Sequence, residues 1–405
     1  MREFLKSSRL KDVYYDIRGA VVQEASRMSE AGMDILKLNI GNPAPFEVYA
    51  PEEMLETMRA NLKVTEGYSE SNGLLASREA VAAYCRKKGI SGMTAKDVYL
   101  GNGVSEMILL AMQALLSEGD EVLVPAPDYP LWTAAVYLGG GNPVHYICDE
   151  QADWFPDLRD LRRKVTDRTK AIVLINPNNP TGALYPKDVL EEIVQVAREN
   201  ELLLFCDEIY DRLLMDGKIH TSVASLAPDV FTVTLNGLSK SHRLAGYRCG
   251  WMALSGPKES VKDYIEGLNM LASLRLCSNV PAQSLIPKAL EHAEEPDPLY
   301  LPGGRIYEQR NFIWQAVNDI PGMSAVKPSA AFYLFPKLDT KRFCITDDEQ
   351  FALDLLKQQR ILIVQGRGFN WAEPDHFRIV YLPEMSQLER AAEGLRAFLA
   401  DYRQG

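Results

Sequence analysis

The chain has 405 residues, 46% apolar and 24% charged, and neither Gly (27) nor Pro (23) is in excess, which excludes a disordered, collagen-like or disulfide-stapled protein. Two domains are expected at this length. Net charge is −11, from 44 Lys and Arg against 55 Asp and Glu with no long run of either sign, which argues against a nucleic-acid partner because phosphate-backbone binders carry a basic face.

In chain order, Met1–Leu10 is polar and lacks the apolar stretch of a signal peptide. The longest apolar run, around Met107–Leu116, is about half a membrane span, so a cytoplasmic protein with no membrane partner is expected. Strand candidates follow at Val98–Leu100, Glu121–Pro125 and Val144–Ile147. Ala171–Ile175, Leu202–Phe205 and Phe231–Leu235 are short β-rich apolar runs that read as buried strands. Between the first two, Pro186–Asn200 places Val189, Leu190, Ile193, Val194 and Ala197 at helical spacing, with Pro186 suited to the first helical position. Cys249–Leu254 adds another strand. This alternation predicts an α/β fold with a doubly wound, mostly parallel sheet.

The rhythm changes at the Pro- and Gly-rich Glu291–Gly304. Beyond it come a long helix pattern (Ile306, Ile313, Trp314, Val317, Ile320), strand candidates Ala331–Phe335, Ile361–Val364 and Phe377–Tyr381, and a final helix from Ser386. The expected division is an N-terminal arm and part of a small domain (1–45), a large domain (46–290) and a smaller C-terminal α/β domain (291–405). The six cysteines show no CxxC and the five histidines no i,i+4 pairing, so no metal site is expected.

Ligands of open α/β sheets gather at the loops after the carboxyl ends of strands. Gly101–Glu106 follows the first strand and feeds the helix Met107–Leu116, a turn whose free N–H groups suit a phosphate but which is equally a plain strand–helix connection. Asn176–Gly182 is a polar, twice-Pro loop that either positions a side chain or caps a helix. Asp207-Glu208-Ile209-Tyr210 closes the next strand, and Asn236–Lys240 the one after. A strand-end lysine can lose its proton on burial and attack carbonyls, although a lone lysine is ordinarily just solvated.

The conjunction is more specific than its parts. Asn179–Gly182 (N-P-T-G), Asp207–Tyr210 (D-E-I-Y) and Ser239–Trp251 (S-K-x7-R-x-G-W) together resemble the fold type I pyridoxal-phosphate enzymes of the aspartate aminotransferase superfamily, over nearly the whole chain from Tyr14. Tyr15–Gly19, Leu38–Pro45 and Pro125–Trp132 are more closely similar to bacterial glutamate–pyruvate (alanine) aminotransferases. The resemblance implies a homodimer with shared active sites, pyridoxal 5′-phosphate as cofactor, and amino acids and 2-oxo acids as partners.

It also implies roles. Lys240 would hold the cofactor covalently and carry the proton between Cα and C4′. Asp207 would keep the pyridine nitrogen protonated, making the ring an electron sink. Asn179 and Tyr210 would hydrogen-bond the phenolic oxygen, and Tyr129 would stack on the ring. The phosphate would rest on the N–H groups of Gly103, Val104 and Ser105, with Ser239 and Arg248 adding charge-assisted bonds and Tyr68 reaching it from the other subunit. Arg378 would grip the substrate α-carboxylate, Gly41 would let the backbone approach it, and Tyr15 would form a lid. Arg18 would meet the second carboxylate of glutamate or, alternatively, pair with Asp16 or Glu24 on the surface.

Two positions depart from the family pattern. Gly237 stands where a phosphate-binding Ser is common, and Ala330 replaces a Gly in Pro328–Tyr333. The expected reaction is alanine + 2-oxoglutarate to pyruvate + glutamate by a ping-pong course. Transamination of valine, aspartate or aromatic substrates, β-elimination by a C–S lyase and a non-catalytic sensor role stay open on the sequence.

Overall fold

The computed structural model describes residues 3–11, 13 and 19–405. In chain order its principal strands are β1 (Leu36–Lys37), β2 (Val98–Gly101), β3 (Glu121–Ala126), β4 (Asn142–Asp149), β5 (Phe155–Pro156), β6 (Thr169–Ile175), β7 (Leu203–Asp207), β8 (Thr232–Gly237) and β9 (Gly250–Ser255). Eight of them form one sheet in the order β2-β9-β8-β7-β6-β3-β4-β5. Its centre, from β8 through β7, β6 and β3 to β4, is parallel, and the flanking pairs are antiparallel.

These strands are continuous apolar runs because helices cover both faces. The two-residue period sorts them: Val122, Val124, Val173, Phe205 and Val233 enter one core, while Leu123, Ile172, Leu174, Leu204 and Cys206 enter the opposite one. Helices α1 (Val104–Leu115) and α2 (Lys187–Glu199) pack on these opposite cores. Helix α2 starts one residue later than the spacing suggested: Pro186 is its N-cap, and Leu190, Ile193, Val194, Val196 and Ala197 form its buried stripe.

A second lobe is built on α3 (Arg305–Asn318), β10 (Tyr333–Leu334), β11 (Ile361–Leu362), β12 (Val364–Gln365), β13 (Phe377–Val380) and α4 (Met385–Asp401). Strand β13 lies between β10 and β12, and β11 pairs instead with β1, which brings the N-terminal segment onto this lobe. The run Ile361–Val364 is therefore two strands with different partners. In Ala331–Phe335 only Tyr333 and Leu334 join a ladder, because Ser329, Ala330 and Ala331 spend their N–H groups on Gly182 and Leu213 of the large lobe.

The lobes also share cores. Ile209, Tyr210, Leu213 and Met215 pack with the second lobe, while Phe335, Val364 and Phe369 pack into the first. Residues on the cleft between the lobes are thus held from both sides.

Candidate active site

Strands β8, β7, β6 and β3 are adjacent and parallel, so the loops at their carboxyl ends converge. Those loops carry Lys240, Asp207, Asn179 and Tyr129. They open on a cavity of about 440 Å³ also lined by Asn39, Gly41, Val104, Ser105, Tyr210, Ser239, Arg248, Tyr333 and Arg378. Residues up to 339 positions apart in the chain thus share one site.

Lys240 lies in a one-turn helix directly after β8, and its Nζ donates to the carbonyl of Gly41 at 2.7 Å. The same ammonium stands 5.6 Å from the ring centre of Phe332. Asp207 ends β7 and is buried; the Trp132 indole donates to its Oδ2 at 3.2 Å and the Ile209 N–H to its Oδ1 at 3.3 Å. Burial pushes its carboxyl up to about 6. This group is poised to accept a proton or a cationic N–H from whatever fills the cavity.

Behind this carboxylate, Glu208, Asp211 and His220 come within 4.8 Å of one another, a spacing that could hold a metal. Lys88 Nζ donates to Glu208 Oε2 at 2.6 Å and to Asp211 Oδ2 at 2.8 Å. Burial raises the Asp211 carboxyl, yet Lys88, with His220 and the Tyr84 hydroxyl, outweighs it and brings it to about 2. Both carboxylates already share the Lys88 ammonium, so the cluster reads as a buried ion-pair network.

At the opposite end of the cavity, Gly103 caps α1 at φ +81° without a side-chain cap, leaving the first-turn N–H groups of Val104 and Ser105 for an anion. Arg248 is pinned beside this turn, with Nη1 donating to Ala245 O at 2.9 Å and Nη2 to Asn102 O at 3.3 Å. Ser239 is buried against the same cavity wall.

Arg378, on β13, enters from the second lobe. Its Nη1 donates to Asn179 Oδ1 at 2.9 Å and its Nη2 to the Asn39 carbonyl. The guanidinium stands 4.6 Å from the ring centre of Tyr333 and 4.7 Å from that of Phe369. Tyr210 shares a 2.8 Å hydrogen bond with Tyr333, and burial holds its phenol well above the usual range. These bonds fix the planar fork in advance, as recognition of a carboxylate requires.

Tyr68 is 83% exposed and does not line this cavity. Tyr15 and Arg18 lie outside the described residues. The departure at Gly237 has a packing reason: a Cβ there would come within 2.6 Å of Cys249 O and 2.8 Å of Gly250 Cα on β9, so a serine does not fit. Ala330 is fully buried, and the left-handed backbone of its segment falls on Ala331, at φ +60°.

Sequence reasoning missed Trp132, Tyr333, Asn39 and Phe369. Trp132 could have been found, since it follows Tyr129 by one helical turn. Tyr333 closes the Pro328–Tyr333 pattern and had a comparable signal. Asn39 acts through its carbonyl and Phe369 through packing, and neither has a sequence signature.

The family model for class I and II aminotransferases matches residues 33–395. The glutamate-pyruvate aminotransferase AlaA of Haemophilus influenzae is 58% identical over 404 residues, with both chains fully covered. The alanine aminotransferase of Mycobacterium tuberculosis is 53% identical over all of this chain and 94% of its own. Among solved structures, an aminotransferase from Escherichia coli matches with a TM-score of 0.98 at 55% identity, both chains fully covered. The alanine aminotransferase of Pyrococcus furiosus matches with a TM-score of 0.90 at 39% identity, covering 98% and 99%. The strand-end Lys, Asp and Asn around one cavity thus occur in a chain that belongs to the class I and II aminotransferases.

Proposed function

We propose that the protein is a pyridoxal-phosphate-dependent alanine aminotransferase converting alanine and 2-oxoglutarate to pyruvate and glutamate, working as a homodimer in the cytoplasm. The observation that carries this reading is the cavity with Lys240 and Asp207 on one lobe and Arg378 on the other. The donor set suits the cofactor: a buried carboxylate for a pyridinium, an amine for a carbonyl, and an uncapped helix terminus with Arg248 for a phosphate.

When bound, pyridoxal 5′-phosphate supplies a carbonyl for the amino group and a ring that withdraws electrons from Cα. The chain does the rest. Lys240 Nζ holds the cofactor and moves the proton at Cα. Asp207 would hold the proton on the pyridine nitrogen. Tyr129 would cover the ring, and Asn179 and Tyr210 would orient its phenolic oxygen. The N–H groups of Val104 and Ser105, with Ser239 and Arg248, would retain the phosphate; the Gly103 N–H, expected to join them, donates instead to the Gly101 carbonyl at 2.8 Å. Arg378 and the Gly41 backbone hold the α-carboxylate that every substrate of the pair shares.

Glutamate adds a second carboxylate, which must be paired or kept hydrated in a largely dry site. Arg18 is assigned to it, with Tyr15 as the lid aromatic. Single amino acids added to the purified holoenzyme test both statements. Alanine and glutamate each convert the yellow cofactor to its amino form, whereas ammonia release would indicate elimination. In Arg18→Met the glutamate half-reaction slows ~10-fold or more in kcat/KM, the scale of one charge-assisted bond, while alanine changes far less. Equal losses would remove Arg18 from dicarboxylate recognition.

A homodimer is supported by exposed apolar side chains on two joined segments. Arg275 donates to Ser71 O at 3.0 Å, and Tyr68 and Leu75 near one end of this bond and Met270, Leu274 and Leu276 near the other are each more than half exposed. Exposed apolar side chains in such number favour a partner surface.

A further inference from the structure

One buried polar cluster outside the cavity bridges the two lobes. Asp128 immediately precedes Tyr129, and it is 0% exposed. Thr133 Oγ1 donates to its Oδ2 at 2.7 Å, and Asn370 Nδ2 donates to its Oδ1 at 2.7 Å. Asn370 Nδ2 also reaches Thr133 Oγ1 at 3.2 Å, and the Asp128 N–H donates to the Phe369 carbonyl at 2.9 Å. His145 Nε2 lies 2.8 Å from the same Thr133 hydroxyl.

Among the described residues no ion pair involves the Asp128 carboxylate. A buried carboxylate held by neutral donors alone contributes poorly to stability, so its worth lies in the geometry it imposes. That geometry is specific. On one side Asp128 is joined through the backbone to Tyr129, which lines the cofactor cavity. On the other, Asn370 is joined to Phe369, whose ring centre stands 4.7 Å from the Arg378 guanidinium.

We propose that Asp128 and Asn370 form a joint that holds the ring-covering Tyr129 and the carboxylate-gripping Arg378 in one fixed relation across the lobes. This rests on the aminotransferase reading above. Neither residue touches substrate; both are positioning residues. Alanine and glutamate share only the α-amino and α-carboxylate groups at Cα, so loosening the joint affects both in the same proportion.

The test compares holoenzyme carrying Asn370→Ala, Asp128→Ala or both with wild type. Each single variant raises KM for alanine and for glutamate alike by ~10-fold while kcat stays within about threefold, as expected when substrate alignment is weakened before chemistry. The visible circular dichroism of the bound cofactor changes in each, because Tyr129 no longer sits against a fixed neighbour. The double variant is no worse than either single one. Asp128→Asn, which can still accept from Asn370 and donate to Thr133, retains most of the wild-type KM.

Lower thermal stability with unchanged KM values and dichroism would overturn the joint, as would a KM rise confined to glutamate and 2-oxoglutarate. If Asn370→Ala does not fold, Asn370→Gly removes the amide while accepting the left-handed backbone of φ +55° at this position, and it is read in the same way. Wild type separates the two proposals. If it binds cofactor but does not transaminate alanine, the functional reading fails, and the dichroism comparison still decides the joint.

Discussion

At the residue scale, the burial of Asp207 gives its proposed cofactor role a measurable consequence. Burial moves its carboxyl from the ordinary range near 4 up to about 6, so between those pH values the folded apoprotein holds a proton that the unfolded chain has released. Apoprotein stability therefore falls as pH rises through this window. The cost of the ionised group reaches roughly 3 kcal/mol above it. In the proposed role, a protonated pyridine nitrogen beside the carboxylate would remove that cost. The gain in melting temperature on adding pyridoxal phosphate is accordingly larger at pH 7.5 than at pH 5. In Asp207→Asn this pH dependence disappears and kcat drops by ~100-fold or more, the scale of losing a preorganised charge. A wild-type gain that is equal at both pH values would separate Asp207 from the cofactor.

At the element scale, the carboxyl ends of β6, β7 and β8 set the site, and the antiparallel β9 packs tightly against β8. At Gly237 the neighbouring backbone leaves no room for a Cβ. Gly237→Ser restores the family's extra hydroxyl but overpacks this contact, costing ~1–3 kcal/mol. Thermal unfolding should show a melting temperature lower by several degrees, and an unchanged value would mean that the strands can part. The Asn179 loop depends on a similar fit. Gly182, at φ +70°, accepts hydrogen bonds from Ser329 and Ala330, so the loop is fastened to the second lobe. The strands could be read from local patterns because each is a continuous apolar run flanked by turn residues. The run Ala331–Phe335 looked the same yet forms a ladder at only two residues, since its first N–H, that of Ala331, and the two before it are taken by distant carbonyls.

At the scale of the whole molecule, the proposed homodimer would cover the exposed Tyr68 with a second copy. In such a dimer each site combines Lys240 of one chain with Tyr68 of the other. A hybrid of Tyr68→Ala and Lys240→Ala chains then holds one site free of both lesions and one carrying both. Mixing the two impaired parents under subunit exchange should raise activity well above either alone. No rise, with both parents clearly impaired, would confine Tyr68 to its own chain.

The sequence by itself determined the alternation of strands and helices, and the identity and order of the groups at the strand ends: Asn179, Asp207, Lys240. Those signals are local, since a buried strand, a turn and the residue between them lie within a few positions. It also marked Arg378, but only through resemblance, because a strand arginine carries no sign of where its guanidinium points. Tertiary structure alone decided that this guanidinium lies on Asn179 and the Asn39 carbonyl between Tyr333 and Phe369, and that Asp128 meets Asn370 242 positions away. Each of these contacts joins segments brought together by the packing of two lobes. A backbone carbonyl or a ring face is used there in a way that no residue pattern encodes, so the strand-end chemistry is written in the chain and the fit of the lobes around it is not.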